Sequence, residues 1–505
     1  MNKLFLVVIA IILSGTSIGQ RVIYSEPDKD DLKQTRFEIV GKIGSNILIY
    51  KELRDNHSMS IYDASMKQIE RLKLDFLPDK LINTDFIAYP DFCYMFYQYQ
   101  KRNVVYCMAA KLDGNGKKIG DPIQLDTTQI TFFASNKLYS VIHSDDKQQI
   151  QIFKINNKND RNHLLTTSLF NKELALQYKH YMSIPMPDRN DILTEFYVDN
   201  DGNLVFTRAV QTGQSDNIQK LFFMTKERAS DQYVEREIKL NNHYLDDVRI
   251  KVDNYNKRYI ITSLYSKSRQ GNIDGLHVSI WDRPSSSLNV SKGIPFDENL
   301  RNEAKGQNGM RTAFNDYFLR NLIVTKDGGF LLAAESFYTT GRAGNFNRWG
   351  SPFGSPFLRG MNYYSFTPYY YAYPWSSWNN YGYNQYNRYH AENVVVFSFD
   401  SSAKMNWSNV IIKDQYDDDV DLFIGYQLVN TGDQLHFLFN KQEKRLQLLS
   451  DQSISPEGQL TRVPTLKNLD KGFDFMPRLG KQISNRQIVF PCMYRNYLCF
   501  AKLEL

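Results

Sequence analysis

LIVTKDGGFLLAAESF, residues 322–337, shows the repeat unit of this chain most plainly. Leu322, Ile323 and Val324 run into Asp327-Gly328-Gly329, and a second apolar run follows. Two β-favouring runs about an Asp/Gly turn read as a β-hairpin, because only such residues take the positive φ of a tight turn cheaply. EFYVDNDGNLVFTRAV, residues 195–210, has the same build around Asn200-Asp201-Gly202.

Less regular copies lie at 37–50, 85–99, 130–143 around Ser135-Asn136, 248–265, 426–439 and 476–494. Each is followed by a second hairpin, at 59–74, 104–125, 150–169, 221–240, 276–294, 394–412 and 446–466; one more opens at Leu498 and is a strand short. Four strands per unit, at about 45 to 55 residues where no insertion intervenes, predict an all-β fold: a β-propeller of eight four-stranded blades, with seven as the alternative count. An unpaired last edge would need cover. Residues 21–24 are therefore expected to pair beside 498–505 and close the ring.

Composition agrees. Tyr and Phe are abundant, with 33 and 32 copies, and such residues favour strands. The formal charge is only +6, and the basic residues are interspersed with acidic ones without forming a stripe, so no nucleic-acid partner is expected. Lys3, the apolar run 4–13 and the small residues 14–19 read as a signal peptide over 1–19, with Gln20 opening a single propeller domain, 20–505. No later run is long and apolar enough for a membrane span. The expected location is exported: periplasm, outer surface or extracellular space.

Cys93/Cys107 and Cys492/Cys499 each bracket an apparent turn, which leaves two disulfides or four buried thiols open. Neither pair has His or Cys at ligand spacing, and the eight histidines are isolated, so no metal site and no cofactor are expected. His143, His277 and His436 read as strand residues.

In a four-stranded blade the second-to-third turns and the blade-to-blade connections share one face. The long connections 171–191, 296–316 and 340–392 therefore project together, and function concentrates in such loops. Short turns at 113–116, 157–160 and 456–458 are expected on the opposite, plain face. The stretch 340–392, an insertion in blade six, holds Tyr363, Tyr364, Tyr370, Tyr371, Trp375, Trp378, Tyr381 and Tyr383 among Gly, Asn, Ser and Pro. Flat amphipathic rings with adaptable polar neighbours suit a sugar ring, a peptide or a protein surface; a private cover over the propeller or a low-complexity segment are the other readings.

Acidic residues fall on the same face, among them Asp188, Asp191, Asp246, Asp297, Asp417, Asp418, Asp419 and Asp421. The leading expectation is a non-catalytic binding or scaffold propeller that recognises a glycan, peptide or envelope protein through the aromatic residues with Asp417 and Asp419. The alternative is a glycoside hydrolase or lyase that uses paired carboxylates there. No catalytic residue can be assigned from spacing.

The chain also resembles secreted propeller-like proteins of Gram-negative Bacteroidota, through its short signal before Gln20, DGGFLLAAESFY at 327–338, VVVFSFDSSAKMNW at 394–407 and the Tyr-rich segment between them. That resemblance implies a secreted propeller. It brings no activity with it.

Overall fold

The computed structural model describes residues 20–28, 35–131, 133–134, 137–159, 161–187, 190–211, 217–305, 314–341, 344–346, 387–418, 421–443, 446–466 and 472–505. These residues are nearly all β, arranged in antiparallel four-stranded sheets that follow one another along the chain, as in a β-propeller. The first sheet runs Thr35–Ile43, Asn46–Leu53, Asn56–Tyr62, Gln68–Lys73 in spatial as in sequence order, and the second runs Asn83–Ala88, Phe92–Lys101, Val104–Asp113, Ile123–Gln129. The same meander repeats through a third sheet, from Ser140–His143 to Leu176–Pro185, a fourth, from Asp191–Val198 to Val234–Ile238, and a fifth, from Tyr244–Asp253 to Ser287–Pro295. A sixth runs from Tyr317–Val324 to Met405–Ile411 and a seventh from Tyr426–Asn430 to Leu460–Leu466, and one pairing, Ile218 opposite Leu245, joins the fourth to the fifth. In the last sheet Gln487–Tyr494 and Tyr497–Glu504 form a hairpin. Arg21–Tyr24 pairs on its outer edge, Arg21 opposite Glu504 and Tyr24 opposite Ala501. Ser25 extends this pairing: its N–H donates to Phe500 O at 2.8 Å and its Oγ accepts from Phe500 N at 2.9 Å.

Apolar clusters lie between consecutive sheets. Val40, Leu48, Met59 and Leu112 pack the first against the second; Leu193, Phe206, Phe153 and Leu165 join the third and fourth. Ile39, Ile49 and Tyr62 of the first sheet pack with Val489, Leu498 and Phe500 of the last. Strand alternation explains this, since each sheet shows one apolar face to each neighbour.

At one end of the sheets the turns share a five-residue build. Asp63, Asp113, Asp199 and Asp400 each accept, through Oδ1, the N–H groups two and four residues on, at 2.8–2.9 Å. The fourth residue is left-handed: Met66, Gly116, Gly202 and Ala403 have φ of 60°, 71°, 89° and 60°.

Sheet three corrects the sequence reading. Its first hairpin is Ser140–His143 with Gln149–Asn159, not 130–143, and Leu176–Pro185 is its fourth strand rather than part of a long connection. The turn near 160 therefore joins second to third strand and lies on the elaborated face, not the plain one. Strand Leu176–Pro185 was hidden because an edge strand is solvated on much of its surface: Leu176 and Tyr181 are exposed, and Met182 and Ile184 are buried in the core with Tyr178 partly buried against it. In the connection 296–316, Asp297 caps a short helix, Glu298–Glu303.

Candidate functional site

The sixth sheet outgrows its neighbours. Its middle strands, Phe330–Gly341 and Asn387–Phe399, stay paired up to Gly341 opposite Asn387, so the insertion begins at the tip of a ribbon and is narrower, 342–386, than the expected 340–392. A further strand, Gln415–Asp418, pairs along the ribbon with Arg388 opposite Asp418 and His390 opposite Tyr416. Alternation then sorts the side chains into two faces.

One face carries Tyr338, Thr340, Arg388, His390, Tyr416 and Asp418. The rings of Tyr338 and His390 stack at 4.4 Å and 10°. Tyr338 Oη donates to Glu392 Oε1 at 2.6 Å, and Thr340 Oγ1 lies 3.0 Å from His390 Nε2. Arg388 grips Asp418 through Nε and Nη2 at 2.7 and 3.0 Å, with its guanidinium 4.4 Å from the Tyr416 ring centroid. This bidentate pair holds the Asp418 carboxyl below its ordinary range. Tyr416 is 45% exposed and Arg388 is exposed beside it, so this end of the row opens to solvent while Tyr338 is buried behind His390.

The other face is the anchor. Tyr389 and Ala391 pack with Phe318, Phe337 and Ile424. Below them Glu335 takes Lys413 Nζ at 2.7 Å and Arg320 Nη1 at 3.0 Å, all three side chains being fully buried. Gln415 Nε2 donates to Asn440 O at 2.7 Å, and Asn440 Nδ2 donates to Phe423 O and Phe475 O at 2.8 and 2.7 Å, tying the sixth, seventh and last sheets together. Breaking such a buried network leaves uncompensated charge, so the ribbon has a stiff base.

Asp417 lies on this anchored side. Its Oδ2 is buried without a hydrogen-bond partner. Burial, then the nearby Asp421 and Asp418 carboxylates, push its carboxyl up to about 7. Asp421 itself pairs with Arg478 at 2.9 Å.

The remaining expected residues fare differently. Tyr363, Tyr364, Tyr370, Tyr371, Trp375, Trp378, Tyr381, Tyr383 and Asp419, with Asp188 and residues 1–19, lie outside the described residues. Asp191 is buried against Arg208 at 3.2 Å, and Asp297 is a helix cap, so these carboxylates do not converge with Asp417. The sequence reading passed over Tyr338, Arg388, His390, Glu392 and Tyr416. The alternation of Arg388, His390 and Glu392 along NRYHAENVVVFSF was the signal that could have found them.

All four cysteines are buried and free. Cys93 faces Leu112 in register and Cys107 faces Gln98, and they pack into different inter-sheet clusters on opposite faces of the second sheet, so no bridge joins them. Cys492 and Cys499 are direct cross-strand partners with sulfurs 3.0 Å apart. Among the described residues no group of three or more His, Cys, Asp or Glu gathers as for a metal ion, and no helix is long and apolar enough to cross a membrane.

No family model matches the chain, and no curated protein does. Among solved structures it is similar to prolyl oligopeptidase B from Galerina marginata, with TM-score 0.42 and 8% identity over 92% of this chain and 56% of that one. It is also similar to a PL25 ulvan lyase, a polysaccharide lyase, with TM-score 0.36 and 8% identity over 82% and 90%, and to a Synechocystis apocarotenoid oxygenase, with TM-score 0.34 and 8% identity over 78% and 76%. At such identities no activity passes from these proteins to this chain.

Proposed function

We propose that the protein is an exported, closed, eight-bladed β-propeller that acts as a binding scaffold, taking a glycan, peptide or envelope protein on the ribbon of its sixth blade and the insertion at that ribbon's tip. The observation that carries the reading is the open row His390, Tyr416 and Arg388, with the buried Tyr338 ring stacked behind His390, on a ribbon whose reverse side is locked into three sheets. Planar aromatic and guanidinium groups give contact area at little entropic cost, and a rigid base spares a partner the cost of ordering it. The eight-blade count rests on the succession of sheets, and ring closure on the pairing of Arg21–Tyr24 with Tyr497–Glu504 and the core shared by first and last sheets.

The test is binding to a glycan array and to an envelope extract by the full chain, the double variant His390→Ala/Tyr416→Ala, and a chain lacking 342–386. Binding that falls at least tenfold in both variants supports the reading; binding equal to the parent's in both sinks it. A second reading, glycoside hydrolysis or lysis, draws on Asp417, whose carboxyl at about 7 suits a general acid beside Asp421, which pairs with Arg478. It requires turnover of some polysaccharide that Asp417→Asn abolishes.

A further inference from the structure

The fifth sheet carries a polar patch between its apolar rows. His277, in the strand Gly275–Asp282, is 1% exposed and stands directly between Ser263 on one neighbouring strand and Gly293 on the other. Cross-strand partners share a face, so the missing side chain at 293 leaves a gap beside the His277 ring. His243 fills that gap: a Cβ placed on Gly293 would stand 2.6 Å from His243 Cε1 and 3.1 Å from its Nδ1. Tyr265 supports the ring, stacked on it at 3.9 Å and 18°. His243 reaches this seat because Asn241 and Asn242, in the connection from the fourth sheet, are both left-handed, with φ of 51° and 61°, and Asn tolerates that conformation. The two imidazoles end with centroids 6.4 Å apart and planes at 78°.

Their nitrogens are unevenly provided for. His277 Nε2 lies 3.2 Å from Ser279 Oγ and 3.4 Å from Ser291 Oγ, whereas Nδ1 of His277 and Nδ1 of His243 are both buried with no hydrogen-bond partner. One such orphan costs about 1–3 kcal/mol. Two, on adjacent rings in a gap kept open by a glycine, point to a shared ligand.

We infer that His243 and His277 form a two-imidazole site for a late first-row transition-metal ion, zinc or copper, held through the Nδ1 of each ring. At about 2.0–2.1 Å from the ion to each nitrogen, two rings on opposite sides of an ion have centroids roughly 6.5 Å apart and two at a tetrahedral angle roughly 5 Å, so the observed 6.4 Å fits the opposed arrangement and tetrahedral binding requires the rings to close by about 1 Å. Imidazole suits this class of ion. In the tautomer that places its proton on Nε2 toward Ser279 Oγ, His277 keeps its Nδ1 lone pair free, the usual outer support of a metal-bound histidine. Among the described residues no third His, Cys, Asp or Glu completes the set, so water or a donor from a bound molecule takes the remaining positions.

Calorimetric titration of tag-free, metal-stripped full-length protein with Zn²⁺, and separately with Cu²⁺, should show one equivalent of at least one ion. His243→Ala and His277→Gln should weaken binding tenfold or more. Gly293→Ala keeps both histidines but displaces His243, and should weaken it as much; circular dichroism and melting of this variant and of His243→Ala check that the fold is retained. Absence of binding with both ions, or binding that survives all three substitutions, overturns the assignment. A chain lacking 342–386 should bind the ion as the parent does, so failure here is distinguishable from failure of the ribbon to bind a partner.

Discussion

Met66, Leu174 and Ala403 hold a left-handed backbone that glycine takes at 116, 202 and 458, and packing explains the exchange. Each of the three packs into an inter-sheet cluster, while a Cβ at Gly202 would meet Leu169 at 3.0 Å and one at Gly458 would meet the Trp407 ring at 2.7 Å. Left-handed backbone costs about 1–2 kcal/mol and a buried Met returns roughly 2 or more, so the side chain wins where there is room for it. The leading aspartates differ in weight. Asp63 serves its own turn, whereas Asp199, fully buried, also accepts from Tyr259 Oη at 2.7 Å and faces Arg283 at 3.0 Å, linking the fourth and fifth sheets. Asp199→Ala should cost about 2–4 kcal/mol, since it strands the buried Tyr259 hydroxyl as well as opening its own turn and leaves Arg283 only the half-exposed Asp201, against about 1 for Asp63→Ala. Urea melts of the two variants check this, and equal midpoints would contradict it.

The ribbon's third strand, Gln415–Asp418, is docked by Gln415 and by the Arg388 pair, with Asp417 turned inward. The sign of its pH response follows from a folded-state carboxyl raised to about 7, above the ordinary 3.8. The folded form holds the proton more tightly, so the contribution is full below about pH 4 and is lost as pH rises through 7. Asp418, held low by Arg388, stays ionised and faces it through that window; the other acidic groups around it are Asp421, paired with Arg478, and Asp474 of the last sheet, whose own carboxyl burial pushes up. Amide exchange at 415–418, corrected for intrinsic rate, should be several-fold faster at pH 8 than at pH 5.5, and Asp417→Asn should remove the difference. A pH-independent rate in the parent protein would refute it. The ribbon itself was half legible: strand alternation around 388–392 is in the sequence, but its pairing with 415–418 is a contact across 24 or more residues that no local pattern encodes.

Across the whole molecule, Arg21–Tyr24 contributes the outer strand of a sheet whose other strands come from the far end of the chain, and Lys502 Nζ reaches Ala64 O in the first sheet. Together these contacts fasten both ends of the described chain. Ile23→Pro removes a ladder donor opposite Lys502 and bends the strand, and should lower the melting temperature by about 5 °C or more, with new protease cleavage near 497–504. A melt and digest matching the parent's would show that the pairing carries little of the stability.

What the sequence determined by itself is the repetition: turn residues such as Asp199 and Gly202, and period-two apolar runs, are local, so strand pairing within each sheet could be read from neighbours a few residues apart. Only the tertiary structure decided which distant groups meet. The ion triad of Arg320, Glu335 and Lys413, the separation of Cys93 from Cys107, and the approach of His243 to His277 over Gly293 all depend on how strands and sheets pack side by side. That packing is set by the summed burial of many side chains rather than by any single stretch of chain.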